Sequence, residues 1–156
     1  MTKSAHIFQI NASKGGVPKT PLREAEVTEL GLTADKQKNL KFHGGPTRAL
    51  CLFSLEKMLE LQQEGHPIYP GSVGENITVS GVPWDEMTVG SRWRLGSEVE
   101  IEITSFAVPC QNISQSFADE KFVRLSQKKH PGWARVYASV QKTGAIQVGD
   151  VIEALE

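Results

Sequence analysis

The sequence predicts a mainly β chain with a few helices, an α+β mixture whose strands form a closed or nearly closed barrel. Three observations lead there. Short apolar segments rich in β-branched residues recur at close spacing along the 156 residues, and only two stretches carry helical periodicity. Residues 98–104 alternate strictly between polar and apolar, as a strand with one face on a core must. Many short strands with few helices to cover them favour closure, because a barrel removes exposed strand edges.

The elements follow in chain order. Residues 5–11 and 24–30 are short, partly alternating strands. Ala49-Leu50-Cys51-Leu52-Phe53 is a continuous apolar run, the pattern of a strand buried on both faces. Ser54 is placed to cap a helix over 55–64, with Leu55, Met58, Leu59 and Leu61 as its apolar stripe and Gly65 as its stop. Residues 76–79 alternate polar with β-branched side chains. Residues 92–95 and 98–104 flank Gly96-Ser97, which reads as a hairpin turn. A second helix is expected over about 117–128, with Phe122 and Leu125 inward and His130-Pro131-Gly132 ending it. Residues 136–140 and 151–155 add two strands.

Composition narrows the function classes. Hydrophobic residues make up 39% and charged residues 22%, ordinary for a folded chain of one domain over 1–156. Lys and Arg number 17 against 18 Asp and Glu, so bulk charge supports neither a nucleic-acid coat nor a membrane-surface role. Residues 1–10 lack the apolar run and small-residue cleavage site of a secretory leader, and no stretch nears the roughly 20 apolar residues of a spanning helix. A cytoplasmic location is expected, with the two cysteines as free thiols. There is no Cys-x-x-Cys pair to suggest structural zinc.

Cys110 is the most informative residue. It follows Pro109, which cannot donate to a sheet ladder, so the thiol falls at a strand exit rather than inside a packed core. Soft metal ligation and nucleophilic chemistry both need a cysteine that is reachable as a thiolate, and a neighbouring positive group to favour that form. Cys51, inside its apolar run, reads as inert core. The turn His43-Gly44-Gly45-Pro46-Thr47-Arg48 offers exposed amides beside a guanidinium, which suits an oxyanion or phosphate. Gly74, Glu75 and Asn76 form a second polar turn at a strand entrance. Arg135, after Gly132-Trp133-Ala134, begins a strand and can reach the same mouth, where Trp133 could wall a flat ligand. Each motif alone is also what an ordinary turn or core residue looks like.

Taken in order, these blocks resemble a known family. Residues 43–50 with Phe53-Ser54-Leu55-Glu56 resemble the first signature of the MOSC domain (molybdenum cofactor sulfurase C-terminal domain), and Gly71 through Gly81 resemble the second. Pro109-Cys110, Gly132 to Val136 and Gly144 to Asp150 match the remaining blocks. The resemblance implies a β-barrel of MOSC type that binds molybdenum cofactor or handles sulfur destined for a metal centre. It places the sulfur carrier or metal ligand on Cys110. It makes His43, Gly44, Gly45, Arg48, Gly74, Glu75, Asn76 and Arg135 the candidate cofactor contacts. Many members carry an arginine just before the Pro-Cys pair, where this chain has Ala107-Val108, which leaves Arg48 and Arg135 to supply anion binding.

Three functions remain open at this level. The chain is a molybdenum-cofactor-binding protein, the active module of a reductase fed by an electron-donor protein. Or it is a sulfur carrier or sulfur transferase exchanging with a donor or acceptor protein. Or it is a cofactor-free binding module that retains the barrel. Pyridoxal phosphate, which serves a desulfurase joined to this domain in larger proteins, is not expected here, since no lysine (Lys41 and Lys57 included) has a Schiff-base context.

Overall fold

A computed structural model describes residues 4–35 and 44–156. Eleven strands run in chain order: β1 (His6–Ala12), β2 (Thr20–Leu22), β3 (Glu24–Thr28), β4 (Gly31–Leu32), β5 (Leu50–Ser54), β6 (Ile77–Ser80), β7 (Arg92–Leu95), β8 (Val99–Phe106), β9 (Val136–Lys142), β10 (Gly144–Gln147) and β11 (Ile152–Leu155). One α-helix, α1 (Leu55–Gln63), crosses from β5 to β6. That crossover lets β5 and β6 pair in parallel, while every other strand pair is antiparallel.

The mainly β character agrees with the sequence pattern. The closed barrel does not form among the described residues. The large sheet is an open array in the order β11-β7-β8-β9-β5-β6-β1-β2, and β10-β3-β4 form a separate small sheet. The reason lies on one edge of β1. Its later residues Ile10 to Ala12 pair with β2, and only His6 bridges Val151, just before β11. The bridge is supported by Ile7 N donating to Asp150 O and Ile152 N donating to Ala5 O, each at 2.9 Å. One edge shared between two partners cannot carry the continuous ladder that closure requires.

β5 lies mid-sheet and all five of its residues are buried, as its unbroken apolar run requires. On β8, Val99, Ile101 and Ile103 are fully buried while Glu100 and Glu102 face outward. The core is continuous across both sheets, since Val27, Leu32 and Ile146 of the small one join Ile7, Phe53, Ile77 and Val136 of the large one.

The first helix forms as the sequence dictates. Ser54 Oγ accepts from Lys57 N at 3.2 Å, and after Gly65 the His66 amide returns to Leu61 O at 3.2 Å. Met58 and Leu61 are its buried residues, whereas Leu59, expected in the stripe, faces solvent. The second helix does not form. Its region holds two 3-10 segments, Ala118–Glu120 and Phe122–Leu125, preceded by a third at Gln111–Ser116. Asp119 and Glu120 both have positive φ, which breaks any α-helical run, and the Ala118 amide donates to His66 Nδ1. Phe117 packs edge-on against the same His66 ring at 5.2 Å. Long-range contacts with the end of α1 thus override local helical periodicity. No helix among the described residues is long and apolar enough to cross a membrane.

Candidate functional site

Five segments meet at one cavity of about 80 Å³. The loop after β1 contributes Gly16, Val17 and Lys19; the turn before β5 contributes Arg48; and Cys51 sits on β5 itself. The turn before β6 contributes Val73, Gly74 and Asn76, the segment after β8 contributes Cys110 to Ile113 in part, and β9 with its lead-in contributes Arg135 and Tyr137. Arg48, Gly74, Asn76, Cys110 and Arg135, singled out from sequence in separate blocks, therefore share one space. Gly44, Gly45 and Glu75 do not line it, and His43 falls outside the described residues.

Backbone geometry explains the convergence. The loop after β1 docks on the turn before β6 through Lys19 N donating to Gly71 O at 2.9 Å. Gly71 has φ +91°, and a Cβ there would collide with Lys19 O, so only glycine lets the two turns touch. β9 pairs with β5 so that Cys51 lies opposite Tyr137, and Ala107 N donates to Arg135 O, which sets the exit of β8 beside the start of β9. Cys110 follows three residues later, half-buried, at the cavity.

Glu75 and Asn76 brace the turn. Glu75 is fully buried, and its Oε2 accepts from Gly71 N at 3.0 Å and Thr78 Oγ1 at 2.8 Å. Burial pushes its carboxyl above the usual range, against the pull of those hydrogen bonds and of Arg135. Asn76 is a cross-tie: its Oδ1 accepts from Cys51 N at 2.9 Å and its Nδ2 donates to Asp35 Oδ2 at 2.8 Å. Asp35 in turn pairs with Lys19 Nζ at 2.6 Å, an ion pair almost wholly removed from water.

Arg135 is different. It is only 6% exposed, and its Nη1 donates to Val73 O at 2.7 Å. Its Nε is buried with no hydrogen-bond partner, and no carboxylate pairs with it among the described residues. A buried guanidinium without a counter-charge is costly unless something anionic meets it. Glu75 Oε1 is likewise buried and unpartnered. Arg48 lies over the Tyr137 ring, its Cζ 5.6 Å from the centroid.

The two thiols, both free, differ sharply. Cys51 is 6% exposed, and burial pushes its thiol up to about 11, with Arg135 the main opposing influence. It lines the cavity, which its apolar strand did not foretell, yet it stays protonated at neutral pH. Burial, with Cys51 adding to it, also raises the Tyr137 phenol to about 12, so that side chain is a neutral hydrogen-bonding group. Trp133, a candidate wall from sequence, is elsewhere: its ring is held between Lys57 Nζ at 4.1 Å and Arg124 Cζ at 3.9 Å. Among the described residues no three His, Cys, Asp or Glu side chains stand together as a metal-ion set.

Comparison with known proteins fits this arrangement. A family model described as MOSC domain matches residues 39–153. The chain belongs to the MOSC domain family. It is 31% identical over 115 residues to protein YiiM of Escherichia coli, covering 70% of this chain and 51% of that protein. It is 26% identical over 142 residues to protein YflK of Bacillus subtilis, covering 90% and 63%. The chain thus spans between half and two thirds of the length of these relatives. The crystal structure of YiiM from Geobacillus stearothermophilus has the same fold, with a TM-score of 0.76 at 21% identity over 97% of this chain and 75% of that one.

The MOSC match begins at residue 39, so the Lys19 wall lies upstream of it. Among the polar cavity residues, sequence reading missed Lys19, Asn112 and Tyr137, and it took Cys51 for inert core. A signal for Lys19 was present: Gly15-Gly16-Val17-Pro18-Lys19 repeats the glycine pair, proline and cation of Gly44-Gly45-Pro46-Thr47-Arg48.

Proposed function

We propose that this MOSC domain binds molybdenum cofactor, with Cys110 as the protein thiolate that meets the metal. The observation that carries the reading is the pairing, in one cavity, of a reachable cysteine with a buried guanidinium whose Nε has no hydrogen-bond partner and which no carboxylate contacts as an ion pair among the described residues. A cofactor with a soft metal and anionic groups needs one of each. The donor set therefore fits the group. Cys110 would contact the metal, and Arg135, Arg48 and Lys19 would meet the anionic groups. When bound, the cofactor would supply two-electron redox chemistry at the metal.

The chain's own residues define the rest. Cys51 presents an uncharged thiol and Tyr137 an uncharged phenol, so Cys110 is the cysteine suited to act as a thiolate. Asn76 and Asp35 are occupied in holding Lys19 and the β5 backbone, which fixes the cation against the cavity. At about 80 Å³ the half-open space takes the reacting end of such a ligand, with its bulk at the mouth. That limited space also favours a second reading, in which Cys110 carries sulfane sulfur as a persulfide. A reductase role and an electron-donor partner follow only from the first reading.

The test is the metal and pterin content of the chain purified from cells that make the cofactor, wild type beside Cys110→Ala. Near-stoichiometric molybdenum in the wild type that is lost in the variant supports the reading. Absence of metal and pterin from both proteins removes it and leaves the sulfur-carrier or cofactor-free alternatives.

A further inference from the structure

The charge and size of the cavity specify a ligand more closely than the family does. Three cations line it, Lys19, Arg48 and Arg135, each from a different segment. Lys19 is balanced by Asp35, but among the described residues no carboxylate pairs with Arg135, and its buried Nε has no acceptor. Among the described residues the other buried carboxylate beside this cavity, Glu75, is tied to Gly71 and Thr78 and does not line the space. Cations exceed anions at the lining, so the empty cavity favours an anion. A bound water needs on the order of 10–15 Å³ of such volume. The cavity of about 80 Å³ therefore takes roughly five to eight non-hydrogen atoms, enough for a tetrahedral oxyanion. Cys110 shares that small volume, so an anion seated there lies beside its sulfur.

We infer that the cofactor-free protein is a sulfurtransferase for small sulfane-bearing dianions of the thiosulfate class, with Arg135 binding the sulfonate end and Cys110 taking the outer sulfur. The inference rests on Cys110 being the reactive group of the cavity. The Cys110 thiolate attacks the outer sulfur of thiosulfate. An Sγ–S bond forms as the S–S bond to the sulfonate sulfur breaks, and sulfite leaves with the bonding pair. Cys110 is left as a persulfide, and a low-molecular-weight thiol or cyanide then removes the outer sulfur and restores the thiolate. No outside oxidant or reductant enters the transfer. Arg135 lowers the cost of bringing a dianion to an anionic nucleophile, which is the obstacle to this reaction.

The test uses the full chain purified without cofactor. Thiosulfate is added, released sulfite is measured, and the protein is mapped by peptide mass spectrometry. The expected result is sulfite release in step with the gain of one sulfur atom on Cys110 and not on Cys51. Sulfate, which has the charge but no transferable sulfur, should compete. Arg135→Gln should lower kcat/KM at least tenfold, with Arg135→Lys retaining part of the loss. Sulfate competition in the wild-type protein keeps the test valid if the Arg135 variants fold poorly. No sulfite and no adduct overturns the inference, as does transfer that is indifferent to both sulfate and Arg135. Stoichiometric molybdenum on Cys110 without sulfur transfer overturns this inference alone, whereas transfer without molybdenum retention sustains it and removes the cofactor reading.

Discussion

The floor and the rim of the cavity are built from different physics, and the two cysteines show it. Cys51 is locked into the β5 ladder, opposite Tyr137, with its amide held by Asn76. Cys110 lies past the end of β8, beyond the last ladder bond at Ala107, and heads a 3-10 segment with no side-chain cap. The same side chain is thereby a protonated lining group in one place and a reachable thiol in the other. The lesson is that ladder pairing, more than residue type, decides which thiol can react.

Reagent labelling tests this contrast most strongly. At pH 8, a thiol with pKa about 11 is ionised in about one molecule in a thousand, so iodoacetamide should modify the half-buried Cys110 well before the buried Cys51 in the folded protein. Equal rates would erase the distinction. Stability should split the same way. Phe53→Ala on the floor, which removes a ring packed edge-on against Trp84 at 5.8 Å, should cost about 3–5 kcal/mol in denaturant unfolding. Cys110→Ala at the rim should stay within about 0.5 kcal/mol.

Charge at the boundary between floor and rim gives smaller effects. Arg135→Gln should weaken binding of an anionic ligand about tenfold, or ~1.4 kcal/mol, by titration calorimetry with thiosulfate, while leaving unfolding stability unchanged or raised. The raised Glu75 carboxyl makes the folded state prefer the protonated form. Its stabilising contribution is complete below the unfolded value, about 4.3, and is lost as pH rises through the higher folded value. Wild-type stability should therefore decline as pH rises from about 4.3 through the higher folded value, and Glu75→Gln should flatten that slope. An identical pH profile in the variant would show that Glu75 stays ionised in the fold.

How much was legible in the sequence follows from the same division. The unbroken apolar run of β5, the alternation of β8 and the Ser54 cap each have local causes, and each formed where the pattern put it. Barrel closure failed because it depended on how one edge of β1 is shared, which no local pattern encodes. The second helix failed where Asp119 and Glu120 take positive φ, beside a segment tied to His66, far away in sequence. Within the site, Cys110, Arg48 and Arg135 stood out by residue type and setting. Glu75 and Asn76 were assigned to a ligand; in the fold both brace the turn by hydrogen bonds, and Asn76 also lines the cavity. Lys19 was missed because its importance comes from the docking of one glycine turn on another.

The central claim is that Cys110 supplies the protein's sulfur to a metal held in this cavity. Molybdenum K-edge X-ray absorption on the metal-loaded protein tests it directly, wild type beside Cys110→Ser. The account predicts that the variant loses a sulfur neighbour from the metal's shell, or fails to retain the metal at all. A metal-loaded variant whose spectrum matches the wild type would contradict it.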